Sequence, residues 1–253
     1  MTKFLFVTDL DHTFVDHTSG CEDKARIELS DRLQRHRQQH GTKLVYSTGR
    51  SPTLYQELQQ EKNLFSPDAL VLSVGTEIYL DGSATTDPEW DSVLSAGWNR
   101  DKILAVTKKF PELEPQPDSE QRPFKVSFFV QEEALSVLPQ LQAELENRNL
   151  SIKLIYSGGI DLDILPLTSD KGQAMQFLRR KWKFAAEQTV VCGDSGNDIA
   201  LFAVGNERGI IVGNAQKELL QWHNQNPAAH RYLAQNFYAA GIMEGLYYFG
   251  FLS

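Results

Sequence analysis

An uninterrupted apolar run, Phe4-Leu5-Phe6-Val7, is cut off by Asp9-Leu10-Asp11-His12-Thr13. A run without polar alternation reads as a strand buried on both faces, the kind a parallel sheet uses. Two carboxylates two residues apart at its end leave the chain at one edge of that sheet, where open α/β sheets hold ligands. One carboxylate can attack an electrophile while the other handles protons, provided a cation tempers their repulsion.

The rest of the chain keeps the same rhythm. A polar, helix-permissive stretch over 22–40 precedes a short strand, Lys43-Leu44-Val45-Tyr46, closed by Ser47-Thr48-Gly49-Arg50. Pro52 suits the first turn of a helix running to about residue 61, and Ala69-Leu70-Val71-Leu72 is a third strand. Alternating strands and helices predict an α/β, doubly wound parallel sheet. The texture changes after the Asp81-Gly82 turn. One amphipathic helix is expected over Trp90–Phe110, then a proline-bearing loop, a strand over 125–130, a helix over 132–148 and a strand over 151–156. The turn Ser157-Gly158-Gly159 and the alternating segment Asp161–Leu165 follow. From Ser169 the α/β rhythm resumes, with a helix over 170–183 and a strand over 189–192. The loop Gly193-Asp194-Ser195-Gly196-Asn197-Asp198 comes next, then a strand over 209–212 and helices over 216–223 and 239–249. The expected organisation is a core built from 1–81 and 168–253, interrupted by an α+β cap over 82–167.

The 253 residues suffice for one large or two modest domains. A formal charge of −8 argues against a nucleic-acid or anionic-membrane surface. It leaves room for an anionic substrate, because a bound divalent metal reverses the local field. No stretch nears the ~20 apolar residues of a membrane helix, and the opening run is too short for a secretory leader. Cys21 and Cys192 are the two cysteines, and Cys192 lies in a strand-like run, so a buried thiol is expected rather than a disulfide. The chain therefore reads as cytoplasmic.

In a parallel sheet the strand ends share one edge, so Asp9, Asp11, Thr48, Asp194, Asn197 and Asp198 can converge with Lys171, which opens the helix after the insertion. Carboxylates and an amide make an oxygen-rich site suited to Mg²⁺. Lys171 offers a point charge and Thr48 a hydroxyl to phosphate oxygens. Such a cluster suits phosphoryl transfer.

These four segments resemble the four motifs of the haloacid dehalogenase superfamily of phosphatases, and the insertion resembles its C2-type cap. More narrowly, Asp9–His17, Ser47–Thr53, Ser73–Ile78, Gln121–Phe128, Ile155–Pro166, Val191–Asp198 and Asn214–His223 resemble the sucrose-phosphate phosphatase family. The resemblance implies a Mg²⁺-dependent enzyme that hydrolyses sucrose 6-phosphate to sucrose and phosphate, the final step of sucrose synthesis. In that reading Asp9 attacks phosphorus and forms an aspartyl-phosphate. Asp11 protonates the leaving sugar oxygen and later deprotonates water. Thr48 and Lys171 hold the phosphoryl group. Asp9, the Asp11 carbonyl and Asp194 bind the metal, supported by Asn197 and Asp198. His12 stands where the superfamily often has Gly. Plant members of the family carry a further C-terminal domain, and these 253 residues are expected to hold the core and cap alone. A sucrose-phosphate synthase is a candidate partner, and a monomer is expected.

Several residues have two readings. Gly49 and Arg50 contact phosphate or substrate, or Arg50 is a surface ion-pair partner. Thr76 and Glu77 touch sugar or merely shape a turn. Lys125, in an apolar cap strand where an unpaired ammonium is costly, is expected to reach a polar cleft between cap and core. Asp161 and Asp163 share a strand face, one to bond sugar hydroxyls and one to support the cap hinge. The histidines, without metal spacing, are expected to be surface or structural residues. A phosphatase of trehalose phosphate or glucosylglycerol phosphate is the first rival. A receiver domain would need only about 120 residues and no cap, and a silent sugar-binding module would not need an intact acid set.

Overall fold

The computed structural model describes residues 2–18 and 23–252; Cys21 lies outside the described residues. The chain opens with β1 (Leu5–Thr8), α1 (Lys24–His40), β2 (Lys43–Ser47), α2 (Pro52–Lys62), β3 (Ala69–Leu72) and β4 (Glu77–Leu80). Next come α3 (Pro88–Ser95), α4 (Arg100–Thr107), β5 (Glu114–Pro115), β6 (Val126–Phe129), α5 (Leu138–Glu146), β7 (Ile152–Ser157) and β8 (Asp161–Pro166). The last third holds α6 (Lys171–Lys181), β9 (Thr189–Gly193), α7 (Ile199–Ala203), β10 (Arg208–Ile211), α8 (Lys217–Gln225), β11 (Arg231–Leu233) and α9 (Tyr238–Tyr248).

Seven strands form one sheet in the order β11-β10-β9-β1-β2-β3-β4, parallel except for β4. Strand periodicity explains the double winding, because successive side chains leave opposite faces. Phe4 and Phe6 pack with Leu44, Tyr46, Val190 and Cys192 under α1, α2 and α9. Leu5 and Val7 pack with Val45, Val71 and Val191 under α3, α6, α7 and α8. The second sheet, β5-β6-β8-β7, is antiparallel. It closes its own core with Ile103 and Val106 of α4 and Leu141 and Leu145 of α5.

The single helix expected over Trp90–Phe110 is two helices. Gly97 takes φ +75° against the Ser151 side chain, and its carbonyl accepts the Ser151 N–H at 3.0 Å. The apolar spacing continues across the break, but Trp90 and Leu94 face the seven-stranded core while Ile103 and Val106 face the second sheet. We therefore propose the first crossing into the cap at residues 96–99, later than residue 82, with the return near residue 167. The helix expected from residue 132 begins as a 3₁₀ segment over Glu132–Val137 and becomes α-helical only at Leu138. Strands β4, β5 and β11 were not anticipated. Among the described residues no helix is long and apolar enough to cross a membrane.

Candidate active site

The carboxyl end of the central strand β1 delivers Asp9. The Asp9 N–H continues the ladder to the Cys192 carbonyl at 3.0 Å, which fixes the aspartate beside the loop after β9. Lys171, the first residue of α6, is completely buried and bridges that gap. Its Nζ donates to Asp9 Oδ1 at 2.8 Å and to Asp198 Oδ1 at 2.7 Å. Asp198 Oδ2 accepts the Asp194 and Ser195 N–H groups at 3.0 and 3.1 Å, folding the loop onto itself. Asp194 Oδ1 accepts the Thr13 hydroxyl at 2.7 Å. One carboxylate oxygen each from Asp9, Asp194 and Asp198 lies within 4.8 Å of the others.

Electrostatics follow from this crowding. Burial drives the Asp9 carboxyl well above its ordinary value; Lys171 pulls it back, while Asp198, Asp194 and Asp11 push it further up. Burial and Asp198 raise Asp194 to about 7, against the Thr13 hydroxyl and Lys171. Burial opposes the Lys171 charge, but Asp198 and Asp9 outweigh it and hold the ammonium above its usual range. A buried cluster with three acids and one base is short of positive charge. Its hard oxygen donors fit a divalent cation.

Asp11 is held differently. Arg50 grips it bidentately, with Nε to Oδ2 at 2.8 Å and Nη2 to Oδ1 at 2.7 Å. His17 Nε2 lies 2.7 Å from Oδ1. Burial would raise the Asp11 carboxyl, but the Arg50 hydrogen bonds and charge, with His17, bring it below its ordinary value. His12 takes φ +59°, a left-handed conformation that glycine adopts without strain. Its carbonyl accepts from Asn214 Nδ2 at 2.7 Å, which holds the turn.

A cleft of about 570 Å³ lies over this cluster, between the two sheets. Asp9, Asp11, Thr48, Gly49, Arg50, Asp194 and Asn197 line it from the core, and Lys125, Asp161 and Asp163 from the cap. Lys125 Nζ sits 3.4 Å from Asp163 and 3.9 Å from Glu120, so its buried charge is partnered. Asp163 also accepts the Ser127 hydroxyl at 2.6 Å, and Asp161 accepts Gln116 Nε2 at 2.9 Å. Lys171 and Asp198 sit behind Asp9 and do not line the cleft. Thr76 and Glu77, considered for sugar contact, do not line it either. The Thr76 hydroxyl is spent on the Ser73 carbonyl at 2.9 Å, and Glu77 is held by Arg122, Tyr79 and Ser73. Gln116, Glu120, Ser157 and Gln216 line the cleft without having been singled out. Ser157 and Gln216 lie within the resembling segments Ile155–Pro166 and Asn214–His223, whereas Gln116 and Glu120 had no signal beyond their nearness in sequence to Lys125.

Residues 2–250 match the Sucrose-6F-phosphate phosphohydrolase family. The chain is 43% identical over 250 residues to "Sucrose-phosphatase 2" of Nicotiana tabacum, covering 96% of this chain and 58% of that protein. It thus spans little more than half of that relative's length. It is 31% identical over 207 residues to "Mannosylfructose-phosphate phosphatase" of Agrobacterium fabrum, covering 82% of this chain and 83% of that one. The sucrose-phosphatase of Synechocystis sp. PCC6803, solved with sucrose and phosphate, superposes with a TM-score of 0.90 at 39% identity, covering 100% of both chains. A haloacid dehalogenase-like hydrolase protein of Bacillus subtilis shares the fold, with a TM-score of 0.73 at 18% identity over 100% of this chain and 93% of that one. With the match running from residue 2 to residue 250, the chain belongs to the sucrose-6F-phosphate phosphohydrolase family.

Proposed function

We propose that this chain hydrolyses sucrose 6-phosphate to sucrose and inorganic phosphate. The observation that carries the proposal is the convergence of Asp9, Asp194 and Asp198 within 4.8 Å beneath a cleft roofed by polar cap residues. The Synechocystis relative, solved with sucrose and phosphate, supports the substrate class.

In the first half-reaction an Asp9 oxygen forms a bond to phosphorus as the bond from phosphorus to the sugar oxygen breaks, and Asp11 gives that oxygen a proton. In the second, water attacks phosphorus and passes a proton to Asp11 as the bond to Asp9 breaks. Thr48 donates its hydroxyl to the transferring group. Lys171 keeps Asp9 oriented and partly neutralised. The Arg50 clamp holds Asp11 ionised, which suits the second half. For the first half, Arg50 must turn from Asp11 toward the incoming phosphate. Asp9, the Asp11 carbonyl and Asp194, backed by Asn197 and Asp198, would hold a divalent ion, which we propose is Mg²⁺. When bound, that ion supplies positive charge that screens Asp9 from the phosphate dianion. Lys125, Asp161, Asp163 and Gly49 complete the proposed substrate contacts.

A monomer working in the cytoplasm completes the proposal, with the free, buried Cys192 thiol suited to a reducing compartment. A sucrose-phosphate synthase partner is proposed from the family resemblance alone. The test is phosphate release with Mg²⁺ from sucrose 6-phosphate, trehalose phosphate, glucosylglycerol phosphate and mannosylfructose phosphate. Sucrose 6-phosphate should have the highest kcat/KM, and Asp9→Asn should lose several orders of magnitude while staying folded. Near-normal hydrolysis by Asp9→Asn would overturn the nucleophile, and preference for another ester would overturn the substrate.

A further inference from the structure

We propose that Glu77 and Arg122 are positioning residues that couple the cap to the phosphate-gripping loop and to Lys171. The inference rests on the phosphohydrolase reading above and extends it to residues outside the cleft.

The turn between β3 and β4 is the physical link. Ser73 and Val74 both adopt left-handed φ, +53° and +60°, and Gly75 follows at +90°. A β-branched residue in that region is a genuine outlier, and strain of this kind persists only where surroundings impose it. The surroundings here are catalytic. The Ser73 N–H donates to the Arg50 carbonyl at 2.9 Å, and the Val74 N–H to the Thr48 carbonyl at 3.2 Å. A Cβ on Gly75 would overlap the Asp170 carbonyl, so this backbone lies flush against the start of α6, which carries Lys171. One strained turn therefore sets both the Thr48-Arg50 loop and the origin of the Lys171 helix.

Glu77 holds that turn and ties it to the cap. Its Oε1 accepts the Ser73 hydroxyl at 3.1 Å. It is almost fully buried, and Arg122 of the cap grips it at both oxygens, Nε to Oε1 at 2.5 Å and Nη2 to Oε2 at 3.0 Å. Arg122 lies three residues before Lys125, and the two backbones pair with each other at 3.0 and 3.2 Å. The hairpin that presents Lys125 to the cleft is thus fastened to the turn that sets Thr48. Movement of the cap hairpin is transmitted to the phosphate grip through the Glu77 carboxylate, alongside the hydrogen bond from the Ser51 hydroxyl to Glu120 at 2.8 Å.

The test uses the full chain with Mg²⁺ and two substrates, sucrose 6-phosphate and p-nitrophenyl phosphate, which offers the cap no sugar. Coupling predicts that Arg122→Met lowers kcat on both esters by about tenfold, as slight misplacement of catalytic groups does, with KM for p-nitrophenyl phosphate nearly unchanged. Arg122→Lys should recover part of the loss, and Glu77→Gln combined with Arg122→Met should be no worse than either alone. Independently of turnover, Arg122→Met should speed amide exchange at Ser73 and Val74 in the metal-free protein more than in α1. Should Arg122→Met fail to fold, Glu77→Gln carries the same two measurements. Unchanged p-nitrophenyl phosphate turnover, or exchange at Ser73 and Val74 no faster than in α1, overturns the coupling. Wild-type protein inactive on both esters overturns the phosphohydrolase reading instead, and the exchange measurement then decides the coupling by itself.

Discussion

Lys171→Met tests the charge arrangement at its centre. The ammonium is wholly buried and makes two charge-assisted hydrogen bonds, at 2.8 and 2.7 Å, to Asp9 and Asp198. Methionine fills the stem but leaves two buried carboxylates facing each other and Asp194. Removing one partner of a buried ion pair costs about 3–5 kcal/mol. For a chain of this size that lowers Tm by about 10 °C. The loss should depend on pH, with a sign the structure dictates. Burial and the neighbouring carboxylates already raise Asp9 in the folded state, and removing Lys171 raises it further. A carboxyl raised on folding holds its proton more tightly folded than unfolded. Its penalty is therefore full above the folded pKa and fades as pH falls toward the unfolded value near 4. Urea unfolding in EDTA, for wild type and variant at pH 8 and pH 5.5, measures both effects. The variant's deficit should be larger at pH 8. A deficit below about 1 kcal/mol, well under the cost of breaking a buried pair, would refute the reasoning. So would a deficit that grows as pH falls.

Asp194, raised to about 7, should make metal-free wild type lose stability as pH rises from about 4 through 7; Asp194→Asn should flatten that slope in thermal melts. Ser51→Ala removes the cap of α2, which accepts the Leu54 N–H, and the donor to Glu120 at 2.8 Å. It should cost about 1 kcal/mol by denaturant titration. Gly75→Ala forces a Cβ into the Asp170 carbonyl at φ +90°, and should cost more stability than Ser51→Ala while also lowering kcat.

The core was legible because its strands are buried on both faces and read as continuous apolar runs. The acids were legible because they sit where those runs end. The β4 strand was hidden, since Thr76-Glu77 carries turn-forming neighbours and its pairing is antiparallel and at the edge. The break at Gly97 was hidden because both flanking helices keep apolar residues at helical spacing while facing different cores. Glu77 illustrates the limit for sites. A buried carboxylate beside a strained turn looks like a ligand contact until its partner, Arg122, is seen arriving from 45 residues away. Nor could spacing show that Arg50 would close on Asp11, because that depends on how α2 turns away after Ser51.

The placement of β1 bears on synthesis of the chain. Leu5–Thr8 is the middle of the sheet, yet it pairs on one side with Lys43–Tyr46 and on the other with Thr189–Cys192. On a ribosome the second neighbour is made roughly 180 residues after the first strand, a delay of about 10 to 40 s at ordinary elongation rates. During that interval a strand buried along its whole length has one ladder closed and one open. The intervening cap, with a local antiparallel sheet and its own core, can fold while the nascent core waits, and the half-built edge is where a chaperone would have to bind.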